Sequence, residues 1–574
     1  MRQCHTELVE VLFSEEVYSA IQSTVYLARK LFPVKNFLLV LIFLFVGQNL
    51  FAQTAPIPNQ PKLVVGIVID QMRYDFLYRY YSKYSDGGFK RLMTQGFNCK
   101  NAQFNYIPTY TGPGHASIYT GSVPAINGII SNDWFERESN TTVYVTSDTN
   151  YKTVGAANLS GNMSPQRMLT TTITDQLRFS NNFQSKVIGI SLKDRGAILP
   201  AGHTGNAAYW LDGLTGNWIT SSFYMSALPK WVAEINAEQQ PKKYLSQNWN
   251  TLLPIEQYTE STIDSIQYES SLPSDTKPIF PHHLSDSTWV KYDLVKYTPF
   301  GNTLLKDFAI STIKNENFGK GTATDFLTVS FSSTDYVGHL FGPNSIEAED
   351  TYLRLDKDLA EFLSFLDTWV GKNNYLLFLT ADHGVAPVPG LANDYRIPAG
   401  VINEISLLDS MKIILNNTFG DTGIILAYEN QQLYLDHSIL YHKNISIEGV
   451  LNWIQPLLNR QKGYYNSFVI EDLNSTTMPD HLKSVLNNSY LPKRSGDIMI
   501  LYDPYWFGGR IKGTTHGAIF SYDTHVPLLW YGWKIKTGET GTLNHITDIA
   551  PTLSYLLNIQ EPNGNIGTVI NFNK

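Results

Sequence analysis

The sequence predicts a doubly wound, mostly parallel α/β sheet with cap insertions. Three observations carry that expectation. Apolar runs recur that are continuous rather than alternating, as parallel strands buried on both faces require. Each run ends in polar or acidic residues, where the ligand crevice of an open α/β sheet lies. Helical patterns alternate with the runs, the grammar of stacked strand–helix units.

The first run is Lys62-Leu-Val-Val-Gly-Ile-Val-Ile-Asp70, which ends on an acid, and Arg73–Tyr84 reads as the helix after it. Lys186-Val-Ile-Gly-Ile-Ser-Leu192 is the next strand and leads into Lys193-Asp194-Arg195. Asp325–Phe331 leads into Ser-Ser-Thr-Asp335-Tyr-Val-Gly-His339, and Tyr375–Thr380 into Ala-Asp382-His383-Gly384. Between these two, Ser345–Val370 carries Tyr352, Leu355, Leu359, Phe362, Leu363, Leu366 and Val370 at helical spacing. Val526–Gly532 reads as a late strand and Ile546–Leu557 as a closing helix, with Pro551 near its first turn. The weakly periodic stretches at about 201–318 and 402–500 read as insertions capping the sheet.

The N-terminus has a separate reading. Arg29, Lys30 and Lys35 precede the apolar run Phe37–Val46, and Ala52 follows. That is the layout of a secretory signal cleaved near Ala52, and the run is short for a membrane span. Residues 1–28 read as sequence upstream of the true start, so 1–52 is expected to be removed and 53–574 to be the catalytic domain. The expectation is a secreted or periplasmic monomer with no stable membrane anchor; a retained anchor is the alternative. Only Cys4 and Cys99 occur, which excludes a disulfide framework in the mature chain. The net charge of −8, with no basic block, argues against nucleic acid as a partner.

The stretch most suggestive of chemistry is Thr-Tyr-Thr111-Gly-Pro-Gly-His115. Its glycines suit a tight turn before a short helix, His115–Gly121, ended by glycine. Thr111 then sits before a helix N-terminus, which favours an anion, and its hydroxyl is placed to attack phosphorus or sulfur. A surface turn with a capping threonine is the plainer reading. Asp70, Asp335, His339, Asp382, His383 and His516, the last in Gly-Thr-Thr-His-Gly517, offer three carboxylates and three imidazoles. These suffice for two metals with three ligands apiece, and Cys-free His/Asp sets suit zinc before manganese or iron. Taken singly, each is more often a turn residue or part of a local Asp–His pair than a ligand.

Together the motifs Pro-Thr-Tyr-Thr-Gly-Pro-Gly-His, Asn132, Ser-Ser-Thr-Asp-Tyr-Val-Gly-His, Thr-Ala-Asp-His-Gly-Val and Thr-His-Gly-Ala resemble the alkaline phosphatase superfamily. The similarity is to its type I phosphodiesterase and nucleotide pyrophosphatase branch. It implies that Asp70, Asp382, His383 and Thr111 serve one zinc, and Asp335, His339 and His516 the other. It also implies that Thr111 is a nucleophile forming a phosphothreonine, and that Asn132 donates to a phosphoryl oxygen. Lys193-Asp194-Arg195 resembles the phosphate-irrepressible alkaline phosphatases, in which Lys and Arg meet a phosphoryl dianion. The implied activity is hydrolysis of small-molecule phosphate monoesters over a broad range. A nucleotide phosphodiesterase, or a non-catalytic exported binding protein, are the alternatives. His203 stands among apolar and aromatic residues and reads as a packed histidine rather than a ligand.

Overall fold

The computed structural model describes residues 60–285, 291–509 and 511–572, so the expected leader and the start of the mature chain lie outside the described residues. Among the described residues no helix is long and apolar enough to cross a membrane.

Among the described residues ten strands form the central sheet. In spatial order they are Gly538–Thr540, Phe97–Cys99, Leu528–Gly532, Tyr375–Thr380, Leu63–Ile69, Asp325–Phe331, Val187–Ser191, Ala207–Leu211, Trp218–Ser221 and Thr153–Val154. The middle five, from Tyr375–Thr380 to Ala207–Leu211, are parallel. Every residue of those five is buried, which is why their sequences are mostly apolar on both faces rather than alternating. One set of helices packs together from Thr111–Thr120, Ile173–Ser180, Asp194–Ala201 and Ile549–Leu557; a second comprises Phe300–Asn315, Ser333–Phe341 and Ile346–Leu366. One set covers each face, so the sheet is doubly wound.

The edges depart from the expectation. Pro527 splits the late strand: Val526 pairs in a small sheet with Ala102, while Leu528–Gly532 joins Tyr375–Thr380 antiparallel. Only Phe76–Arg79 of the stretch after Asp70 is α-helical, because Asp75 places its carboxylate on Arg73 and Arg79 and leaves the first turn uncapped. The stretch 201–318 is not wholly a cap. Ala207–Leu211 and Trp218–Ser221 extend the main sheet, and Phe300–Asn315 returns to pack on it, with Trp218 and Phe308 stacked at 4.1 Å. Residues 402–500 contain a four-stranded sheet of their own, with helices Glu404–Phe419 and Ile447–Leu458. Leu407, Met411, Leu433, Ile454, Leu458 and Ile498 give this part its own apolar core. It meets the body near Asn132, where Asn430 Nδ2 donates to the Asp133 carbonyl and Arg137 pairs with Asp497.

Candidate active site

Three of the parallel strands end in carboxylates that meet in space. Asp70 follows Leu63–Ile69, Asp382 follows Tyr375–Thr380, and Asp335 opens the helix Ser333–Phe341 after its strand. The same helix brings His339 one turn on, with Nε2 3.1 Å from Asp335 Oδ1. His516, far along the chain, approaches Asp335 Oδ1 to 3.6 Å and stacks on His383 at 3.5 Å between ring centroids. His383 Nε2 lies 3.4 Å from Asp70 Oδ1 and 3.7 Å from Asp382 Oδ1. Asp335, His339 and His516 bring one ligand atom each within 4.8 Å of one another, as do Asp70, Asp335 and His383.

The donor set fits divalent metal. All three imidazoles donate from Nδ1 to a backbone carbonyl: His339 to Thr514 at 2.8 Å, His383 to Gly384 at 2.9 Å and His516 to Thr109 at 2.7 Å. Those bonds fix the tautomer of each neutral ring, which then has a bare Nε2 to offer the centre. Asp70 Oδ1, Asp382 Oδ2 and His383 Nε2 are buried with no hydrogen-bond partner among the described residues. Burial, and after it the Asp70 charge, pushes the Asp382 carboxyl well above the usual range. Unpartnered acceptors gathered in one buried cluster are what a cation would satisfy.

Lys193 is 4% exposed, and its Nζ donates at 2.6 Å to both Asp70 Oδ2 and Asp335 Oδ2. Burial alone would lower its pKa; the Asp335 and Asp70 charges overcome that and hold it above its ordinary value. An ammonium has three protons, so one is left for a ligand.

Thr111 does not precede its helix but opens it, with Tyr110 as the cap. Gly112-Pro113-Gly114 therefore forms the first turn, where a proline lacks an N–H that would be unpaired anyway. Gly114 has a steric reason: a Cβ there would lie 2.3 Å from the Asp382 carbonyl oxygen, so the helix start could not approach that ligand. Gly121 ends the helix at φ 64°. Asn132 Oδ1 accepts from the Gly112 N–H at 2.7 Å, which leaves its amide group to donate beside Thr111. His115 is spent internally, donating to the Thr111 carbonyl and accepting from Ser330 Oγ, both at 2.8 Å, and burial pushes it down to about 4.

A cavity of about 490 Å³ opens on this centre, lined in part by Lys193, Arg195, Tyr297, Asp335, Tyr336 and His339. Arg195 donates from Nη1 to the Tyr144 hydroxyl at 3.0 Å, and Tyr144 donates to Asp194 Oδ1 at 2.7 Å. The Arg195 Nε is buried without a partner among the described residues. His203 lies apart, bonded to Asp175 and the Met168 carbonyl. Sequence reasoning missed Gln71, whose amide donates to Asp335 Oδ1 at 2.6 Å, and Tyr144. Neither has a sequence signature: one depends on an unusual backbone angle, the other on a hairpin folding back.

Comparison with known proteins follows the same lines. The family model for type I phosphodiesterase / nucleotide pyrophosphatase matches residues 64–524. The alkaline phosphatase PhoV of Synechococcus elongatus is 46% identical over 538 residues, covering 92% of this chain and 94% of its own. A calcium-transporting ATPase of Myroides odoratus is 47% identical over 520 residues, with 89% and 94% covered. The alkaline phosphatase PafA of Elizabethkingia meningoseptica is 47% identical over 530 residues, with 92% and 97% covered. A crystal structure of wild-type PafA superposes with a TM-score of 0.87 at 46% identity, covering 89% of this chain and 98% of that one. Another crystal structure is of a PafA variant replaced at a Thr, an Asn, a Lys and an Arg. Their spacings, Thr to Asn and Lys to Arg, equal those from Thr111 to Asn132 and from Lys193 to Arg195.

Proposed function

The chain belongs to the type I phosphodiesterase / nucleotide pyrophosphatase family, and within it we propose an exported, monomeric alkaline phosphatase that hydrolyses small-molecule phosphate monoesters with Thr111 as nucleophile and two zinc ions as cofactors. The observation that carries this reading is the convergence of Asp70, Asp335 and three tautomer-fixed imidazoles on one centre that also holds Lys193, with Asp382 approaching His383 at 3.7 Å. The family branch, the PhoV and PafA relatives and the substituted quartet in PafA support it.

Divalent ions held by Asp70, Asp382 and His383 on one side and Asp335, His339 and His516 on the other would supply Lewis acidity and charge neutralisation to the phosphoryl group. The chain's own residues supply the rest. Thr111 Oγ forms a bond to phosphorus as the ester P–O bond breaks in line, and the alcohol departs. Water then takes the phosphoryl group, releasing inorganic phosphate and restoring the hydroxyl. The helix N-terminus at Thr111 favours the anion, Asn132 donates from its free amide group, and Lys193 donates its third proton. Arg195 offers the donors that Tyr144 leaves open. In a loose phosphoryl transition state such positioning and charge stabilisation supply most of the catalysis.

Substrate class follows from charge. A monoester carries about one more negative charge near neutral pH than a diester, and Lys193 with Arg195 lines the cavity to meet it. Removing metal tests the proposal: chelation should abolish aryl phosphate hydrolysis, and added zinc should restore it. Full activity in rigorously metal-free protein would refute it.

A further inference from the structure

We infer that Gln71 is a positioning residue that joins the two metal-capable groups and sets how tightly the ion at Asp335, His339 and His516 is held. The inference rests on the metal reading above. Gln71 directly follows Asp70, is 2% exposed and sits at φ 67°, in the left-handed region that a long side chain seldom occupies. A backbone held there at a functional site points to a task that needs it.

Two hydrogen bonds define that task. The Gln71 main-chain N–H donates to Asp382 Oδ1 at 3.2 Å, and its Nε2 donates to Asp335 Oδ1 at 2.6 Å. The residue thus touches one carboxylate of each proposed ligand set, Asp382 of the first and Asp335 of the second. Asp335 Oδ1 is also the oxygen facing His339 Nε2 at 3.1 Å and His516 Nε2 at 3.6 Å, while Oδ2 is taken by Lys193. Gln71 therefore aims the oxygen that completes the three-ligand group. A neutral amide can do so without adding positive charge that would compete with a metal.

The slot for the amide is cut by Gly338, one residue before His339 on the ligand-bearing helix. A Cβ at position 338 would stand 1.8 Å from Gln71 Oε1. Glycine is otherwise costly inside a helix, and the Gly338 backbone is one that alanine can adopt. The absence of a side chain there is what lets the amide reach Asp335.

The test is chelator competition on the full chain, reading both zinc affinities, alongside melting of the metal-free protein. Gln71→Gly keeps the left-handed backbone comfortable while deleting the amide. It should leave metal-free melting close to wild type, weaken one zinc ion about 10–100-fold as lost outer-shell partners do, and spare the other. Gly338→Ala should give the same selective loss with Gln71 in place, and should add nothing in the Gln71→Gly background. Wild-type affinity for both ions in Gln71→Gly would overturn the inference, as would fully additive losses in the double variant. Wild-type protein that binds no zinc would overturn the metal reading and this inference together, a result distinct from either of those.

Discussion

Thr111→Ala is expected to lower monoester turnover by roughly 10⁴-fold or more, the scale on which loss of a covalent nucleophile is felt. The cause is local. Thr111 is buried at the first position of its helix, where the free N–H groups and macrodipole meet the incoming anion. Alanine fits the same helix start, so Asn132, which bonds to the Gly112 N–H, stays in place. The ligand carboxylates and imidazoles are held by other strands and by backbone carbonyls, so zinc content should remain near two per chain. Thr111→Ser, which keeps a hydroxyl, should retain far more activity than alanine. Acid quench of wild-type enzyme with substrate, followed by peptide mass spectrometry, should find phosphate on Thr111. Substantial turnover by the alanine variant would remove the nucleophile assignment and leave the metal site standing.

Replacing Lys193 and Arg195 together by Ala should cost monoester hydrolysis about 10³-fold or more, on the scale of losing preorganised charge donors. Diester hydrolysis should fall much less, because the lost cations answer the extra negative charge that only the monoester carries. Lys193 has a second consequence. It bonds both Asp70 and Asp335, so its removal leaves two buried carboxylates without their ammonium. Lys193→Ala alone should therefore shift zinc affinity as well as rate, while Arg195→Ala, bonded to Tyr144 rather than to a ligand, should change rate alone. The comparison is kcat/KM on paired aryl monoester and diester substrates, with zinc content measured on the same samples. Equal losses on both substrates would mean that these residues do not read charge.

Much of this was legible in the sequence because buried parallel strands leave a continuous apolar signature. Leu63–Ile69, Asp325–Phe331 and Tyr375–Thr380 stand in the structure where their runs predicted them, and the acids at their ends mark the crevice. The edges were hidden. Phe97–Cys99 and Gly538–Thr540 are three residues each, too short to show any period, and the parallel pairing of the two is fixed by the fold around them. Also hidden was how the side chains share their bonds. That Lys193 lies between Asp70 and Asp335, or that the Thr109, Gly384 and Thr514 carbonyls fix three imidazoles, depends on contacts across as many as 407 positions. Gln71 escaped notice because its role comes from a backbone angle and from a glycine on another helix. The motifs taken together, from Thr-Gly-Pro-Gly-His to Thr-His-Gly-Ala, made the branch recognisable.

The measurement that bears most directly on the account is wild-type kcat/KM for an aryl phosphate monoester against the matching diester, with two zinc ions bound. Strong preference for the monoester is expected. Preference for the diester would contradict it: the fold and metal site would stand, but Lys193 and Arg195 would not be selecting the dianion.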